Sequence, residues 1–205
     1  MEIELKYAVN DPLSSTKIFS DDYLNQIKDS DSEEQITMRA VYFDTKEKDL
    51  QNEKIAFRIR QENERIVATI KWNGSAEDGM HIREELNVPV TDTAYLKDPT
   101  VEIFNQSPME DILKSVVGDK KLEPLMEISF IRRQMRIDTG KSISVISLDD
   151  GEIRAGSKTM PLRELEIELY SGSQEDMTVM GNKLAEKYNL EPENESKYKR
   201  GLELL

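Results

Sequence analysis

The chain has 205 residues, 41 acidic and 28 basic, for a net charge of −13, with no cysteine and one histidine. That length allows one domain with its own core. The acidity argues against non-specific binding to nucleic acid or an anionic membrane, and a chain without thiols has no disulfide framework and no thiolate metal site, which suits the cytoplasm.

No run approaches about eighteen apolar residues, and the N-terminus lacks the basic start and apolar stretch of a signal peptide, so no membrane segment is expected. The opening Glu2-Ile3-Glu4-Leu5-Lys6 alternates charged and apolar residues strictly. Successive strand side chains face opposite ways, so this segment reads as a strand with one apolar and one charged ribbon, ending near Val9. Ile18, Tyr23, Leu24 and Ile27 suit a helical stripe, followed by a solvated connector over Asp29 to Gln35. Strand-like runs follow at Ile36 to Thr45, Lys54 to Gln61, Arg65 to Trp72 and Ile82 to Val90, separated by polar turns such as Asn73-Gly74.

From Thr91 to Asp119 the period changes to one or two helices stopped by Gly118. Strands resume at Leu122 to Asp138, Ser142 to Asp149 and Leu162 to Tyr170. A last helix begins near Ser173, whose hydroxyl with Asp176 resembles a capping box, and carries Met177, Met180, Leu184 and Tyr188 on its buried face. The expected organisation is one domain over 1–205, with a helical insertion at about 91–119 and a C-terminal helix at about 173–189.

The charges in register with these strands are sorted by sign: Glu2, Glu4 and Lys6; Arg58 and Arg60; Lys71; Arg83 and Glu85; Arg132 or Arg133, with Arg136; Asp149; and Glu164, Glu166 and Glu168. Alternation is usual for a half-buried strand with a wet face, but like charges two apart repel. Two of them about 4 Å apart cost roughly 4 kcal/mol at an effective dielectric near 20. The sharper reading is a closed barrel with these groups inside and Ile3, Leu5, Ile59, Ile70, Leu86, Leu165 and Ile167 packed outward under helices. Cations that clamp phosphate, facing carboxylates that take hard divalent ions, are the chemistry of a metal triphosphate.

At this point the residues resemble a family. Glu2-x-Glu4-x-Lys6 resembles the ExExK motif of the CYTH superfamily, the triphosphate tunnel metalloenzymes. Tyr42-Phe43-Asp44-Thr45, Ala56-Phe57-Arg58-Ile59-Arg60, Thr69-Ile70-Lys71, Arg83-Glu84-Glu85, Leu148-Asp149, Glu164-Leu165-Glu166 and Ser196-Lys197-Tyr198 follow in family order. The resemblance implies an α+β, mainly β fold: an eight-stranded antiparallel tunnel with helices outside, a triphosphate substrate, and Mg²⁺ or Mn²⁺. It implies metal-holding carboxylates at Glu2, Glu4, Glu164 and Glu166, with Glu168 at the tunnel mouth or in solvent. It implies a triphosphate clamp of Lys6, Arg58, Arg60, Lys71, Arg83 and Lys197, joined by Arg132 or Arg133. Glu2, Glu4, Lys6, Glu85 and Asp149 are the catalytic candidates, Glu85 and Asp149 holding metal or positioning water or a clamp residue.

Alternation leaves undecided whether Arg132 or Arg133 faces the lumen. Trp72 follows Lys71 and is expected to pack away from the lumen. His81, beside a turn, reads as exposed, and Lys197 lies in a polar tail. With no GxxxxGK[ST] or GxGxxG, phosphate must be held by side chains. Hydrolysis of inorganic triphosphate is the favoured reaction. Class IV adenylyl cyclase, thiamine or nucleoside triphosphatase, and a non-catalytic polyphosphate-binding module are the alternatives. A homodimer through the outer sheet surface or helices is compatible with any of these.

Overall fold

In the computed structural model, which describes residues 1–205, the alternating segments form a closed wall. The chain runs β1 (Glu2–Ala8), α1 (Pro12–Ile18), α2 (Asp22–Ile27), β2 (Glu34–Thr45), α3 (Asp49–Asn52), β3 (Ala56–Glu62), β4 (Arg65–Glu77) and β5 (Met80–Val90). Two short 3₁₀ turns (Thr93–Leu96 and Val101–Phe104) and α4 (Glu110–Val117) make a helical insertion. Then come β6 (Leu122–Asp138), β7 (Ser142–Ala155), β8 (Lys158–Gly172), α5 (Gln174–Tyr188), β9 (Glu191–Pro192) and α6 (Lys197–Leu204).

Strands lie in the order β5-β4-β3-β2-β6-β7-β8-β1, and β1 returns to pair with β5. The eight-stranded antiparallel barrel is therefore closed, which leaves its wall no free edges. β9 extends it by two residues, opposite Tyr7 and Ala8.

Several boundaries differ from those read in the sequence. Asn73-Gly74 is not the hairpin turn: Asn73 takes a left-handed φ of 51° inside a bulge, and β4 runs on to Glu77 before turning at Asp78-Gly79. β7 runs on to Ala155 and β8 begins already at Lys158, the two meeting in a tight turn at Gly156 (φ 57°). The larger difference is α6, a helix where a polar tail was expected.

Two apolar cores lie outside the wall. Leu5, Leu165 and Ile167 pack beneath Met177, Met180 and Leu184 of α5. Phe57, Ile59 and Ile70 pack beneath the helical insertion, with the Phe57 ring edge-on to Phe104 at 5.5 Å. Each such side chain contributes about 1.5–3 kcal/mol by burial, so the outer face of the barrel is where its strands gain apolar stabilisation.

A third core lies inside. The inward positions of β2 and β6 turn apolar at Met38, Tyr42, Met126, Ile128 and Phe130, and α6 seats against them. Tyr198 of α6 stacks on Tyr42 at 5.0 Å, and Gly201 lets the helix touch Met126 and Ile153. The lumen is thus charged over part of its length and plugged with apolar side chains at one end, not a charged channel throughout.

Gly151 on β7 faces inward opposite Phe130, where a Cβ would run into the Ser129 carbonyl oxygen and lie 2.5 Å from the Phe130 Cα. Because the obstruction is backbone, Gly151→Ala is expected to destabilise the protein by about 1–3 kcal/mol, read as a lowered urea midpoint. An unchanged midpoint would show that the wall is looser here than drawn.

A charged tunnel as the candidate functional site

Strand pairing decides which charges share the lumen. β1 places Glu4 opposite Glu168 and Lys6 opposite Glu166 on β8, and Glu2 opposite Arg83 on β5. β3 places Arg58 beside Tyr42 and Arg60 beside Ala40 of β2, and Lys71 of β4 stands opposite Glu85 of β5. All of these border one cavity of about 320 Å³. Eight cationic and five acidic side chains line it, an excess of positive charge inside a chain whose net charge is −13.

Most of the cations are matched. Lys71 bonds Glu2 at 3.0 Å and also contacts Glu85; Arg83 spans Glu2 at 2.5 Å and Glu4 at 2.7 Å; Arg60 contacts Glu62. Burial opposes ionisation of Glu85, but Lys71 and Arg58 together hold its carboxyl down to about 2. Burial and the neighbouring Arg58 push the Arg60 pKa down to about 10. Arg58 and Lys54 are the exceptions: both border the cavity with no carboxylate within 4.0 Å, and the buried Nε of Arg58, like that of Arg60, has no hydrogen-bond partner.

Deeper in, Asp149, Glu164 and Glu166 bring carboxylate oxygens within 4.8 Å of one another. The ammonium of Lys197, from the first turn of α6, sits among them, 2.8 Å from Asp149, 2.8 Å from Glu166 and against Glu164. Arg132 bonds both oxygens of Asp149 at 2.7 and 2.8 Å, Arg200 contacts Glu164, and Lys6 reaches Glu166 at 2.9 Å. Burial would lower the Lys6 pKa, but Glu166, Glu4 and Glu164 more than reverse it. This trio is therefore a socket for an amino group. Glu164, expected among the metal carboxylates, lies fully buried behind the cavity lining with its oxygens taken by Lys197 and Arg200, and Asp149 is likewise fully buried.

At the mouth the balance reverses. Glu168 borders the cavity while remaining exposed to solvent, with no cation in contact, and desolvation first, then repulsion by Glu2, Glu4, Glu166 and Glu85, raises its carboxyl pKa, to about 7. Glu2, Glu4, Glu166 and Glu168 are all-oxygen donors crowded closely enough to repel, a set that suits a hard divalent cation. The register of β1 against β8 puts Glu168 across from Glu4, Glu166 across from Lys6 and Glu164 across from Ala8.

Arg132 faces the lumen, whereas Arg133 is on the outer wall, bonded to Glu33 and lying 4.5 Å over the Phe19 ring, so it leaves the clamp. Arg136 pairs with Asp29 in solvent. Trp72 packs on the outer core as expected but also borders the cavity, beside the bulge at Asn73-Gly74. His81 is not exposed: it is buried and bonds the Glu193 carbonyl oxygen at 2.7 Å. Lys54 and Arg200 were missed. Lys54 sits in a left-handed turn before β3, and Arg200 lies one helical turn beyond Lys197, a spacing legible only once the tail is known to be helical.

Comparison with known proteins agrees with this geometry. The CYTH domain family matches residues 1–202. An inorganic triphosphatase of Haemophilus influenzae is 30% identical over 161 residues, covering 78% of this chain and 44% of that protein, so the chain spans less than half the length of this relative. A candidate adenylyl cyclase from Hippeastrum, described as having a dominant triphosphatase activity, superposes with a TM-score of 0.75 at 19% identity over 99% of this chain and 96% of that one. The Mimivirus capping enzyme triphosphatase superposes with a TM-score of 0.52 at 12% identity, covering 89% and 86%. At these identities the two structures speak for the fold alone.

A carboxyl whose pKa is raised from about 4.5 to about 7 on folding holds its proton more tightly in the native state, so stability falls as pH rises through that interval. Glu168→Gln is therefore expected to raise the melting temperature of the metal-free protein above pH 7 and to leave it unchanged near pH 4. Melting temperatures equal to those of the unmodified protein at both pH values would show that Glu168 feels no net repulsion from its neighbours.

Proposed function

Because the chain belongs to the CYTH domain family, we propose that it hydrolyses a triphosphate with the aid of a divalent metal ion, and that the substrate is inorganic triphosphate, cut to pyrophosphate and phosphate. The observation that carries this reading is Arg58: an inward-facing guanidinium in no salt bridge and with an unpartnered buried Nε, flanked by Arg60 and Lys71 on a cavity with surplus positive charge. A buried donor left without a partner costs about 1–3 kcal/mol, and a phosphate oxygen would satisfy it.

Arg58, Arg60, Lys71, Arg83, Arg132 and Lys6 would bind the phosphate chain by charge-assisted hydrogen bonds. Lys197 closes the inner end. Glu2, Glu4, Glu166 and Glu168 would hold Mg²⁺ or Mn²⁺, which would supply Lewis-acid stabilisation of charge developing on the transferring oxygens. Water attacks the terminal phosphorus in line with the bridging oxygen. A new P–O bond forms, the bridging bond breaks with its electron pair leaving on pyrophosphate, and the water proton passes to a tunnel carboxylate.

A bare phosphate chain is favoured because most of the aromatic rings on the cavity are engaged elsewhere, Trp72 packing in part on the outer core. Tyr42 lies against Tyr198, and Phe130 is covered by Arg132 at 5.7 Å and Lys197 at 5.5 Å.

Incubation with Mg²⁺ or Mn²⁺ and, separately, inorganic triphosphate, ATP and thiamine triphosphate tests the reading. Metal-dependent phosphate release from inorganic triphosphate in preference to the others is the expected result; cyclic AMP from ATP, or no product from any of the three, would overturn it. Arg58→Ala should cut turnover of inorganic triphosphate about a hundredfold, in line with roughly 3 kcal/mol for loss of one electrostatic stabiliser, while far-ultraviolet circular dichroism stays unchanged.

A further inference from the structure

His81 takes no part in the chemistry just described, yet it is buried and shares the inward parity of Arg83 and Glu85 on β5. Its Nε2 lies 2.7 Å from the Glu193 carbonyl oxygen. A carbonyl can only accept, so Nε2 carries the proton and donates. Glu193 belongs to the strap, residues 191–196, that joins α5 to α6. Two more bonds tie this strap to the seam where β1 meets β5: Glu193 N–H donates to the Lys6 carbonyl at 2.9 Å, and Gly79 N–H donates to Asn194 Oδ1 at 2.8 Å.

Only four residue pairs join β1 to β5, from Glu2↔Arg83 to Leu5↔Met80, after which the Lys6 N–H bonds the Gly79 carbonyl and the strap takes over beside β1. Four residues beyond Glu193 the chain delivers Lys197 into the carboxylate trio, and one turn later Arg200, which also lies 3.7 Å from the Glu193 carboxylate. The strap thus fixes the starting point of α6, and the imidazole is the one side chain of the barrel wall that donates to the strap's backbone.

We infer that His81 is a positioning residue for the tunnel: by holding the Glu193 carbonyl at the β1–β5 seam it sets the depth at which α6 presents Lys197 and Arg200 to the Asp149–Glu164–Glu166 trio. The inference concerns the site described above, and its catalytic consequence rests on the proposed triphosphatase reading. Without the bond, the carbonyl and the seam lose their tie, α6 lifts, and the trio is left with less cation to neutralise it. Excess negative charge then faces the incoming phosphate chain.

The test compares His81→Leu, which removes the donor, with His81→Gln, whose amide nitrogen extends about as far as Nε2 and can donate to the same carbonyl. Hydrogen–deuterium exchange of the full-length protein is read first, since it needs no substrate. His81→Leu is expected to raise exchange over 191–204 selectively, with the strands of the far wall, β2 and β3, protected as in the wild type, and His81→Gln to restore protection. With inorganic triphosphate and Mg²⁺, His81→Leu should raise KM roughly tenfold, the scale of one lost buried hydrogen bond, with a smaller change in kcat, and His81→Gln should bring KM back. Exchange over 191–204 unchanged in His81→Leu, or raised uniformly across the barrel with wild-type KM, overturns the inference. A wild-type protein that turns over no triphosphate would instead sink the proposed function while leaving the exchange comparison decisive for His81.

Discussion

The arrangement of this protein follows from the repulsion among like charges confined to one small volume. Arg58, Arg60, Lys71 and Arg83 converge from three adjacent strands, and Glu2, Glu4, Glu166 and Glu168 from two others, because a closed barrel turns every second residue of each strand to the same interior. Such a set can be ordered only where opposite charges interleave. Lys71 between Glu2 and Glu85, and Arg83 between Glu2 and Glu4, are that interleaving. Among the residues left over are Arg58 on the basic side and Glu168 on the acidic side, one suited to an anion and the other to a cation. Stability of the wall is supplied elsewhere, by the two apolar cores on its outer face, so the interior can remain electrostatically unresolved.

The inner plug extends this division. α6 brings apolar and cationic groups together: Tyr198 and Leu202 cover the dry end, while Lys197 and Arg200 project from the same helix toward the acid trio. An ammonium among three carboxylates does structurally what a metal ion would do there, at lower charge and without coordination geometry to satisfy. Its cost is desolvation of four ions, offset by the hydrogen bonds of Arg132, Arg200 and Lys6 to the same oxygens.

Much of the wall was legible because strand parity is a strict rule. Glu2-x-Glu4-x-Lys6 and Arg58-x-Arg60 could be assigned to one face, and Ile59, Leu165 and Ile167 to the other, from alternation alone. Parity does not say which face is inside when both carry charge, so Arg132 and Arg133 could not be separated until the Arg132↔Asp149 pairing was known. It is also silent about register: Glu164, Glu166 and Glu168 are equivalent in the sequence and become different only when Glu168 stands across from Glu4 and Glu164 falls behind Lys6. α6 was hidden because its buried positions are Lys197 and Gly201, residues that give no apolar periodicity. His81 was misread because a single polar residue near a turn ordinarily faces water, and its partner is a backbone carbonyl more than a hundred residues away, which no local pattern can announce.

β1 pairs on one side with β8 and on the other with β5, so Leu5 is bonded into the sheet beside both Ile167 and Met80. It is the keystone of the barrel, and its partners are all distant in sequence. Loop-closure entropy must be met before these contacts form, which places the chain among slow-folding topologies. Until that strand is seated, the edges of β5 and β8 are bare templates for another chain. The charged inner ribbons of those edges, Arg83 and Glu85 on one and Glu164, Glu166 and Glu168 on the other, then act as gatekeepers against edge-to-edge association during folding, a service rendered before any ligand enters the finished tunnel.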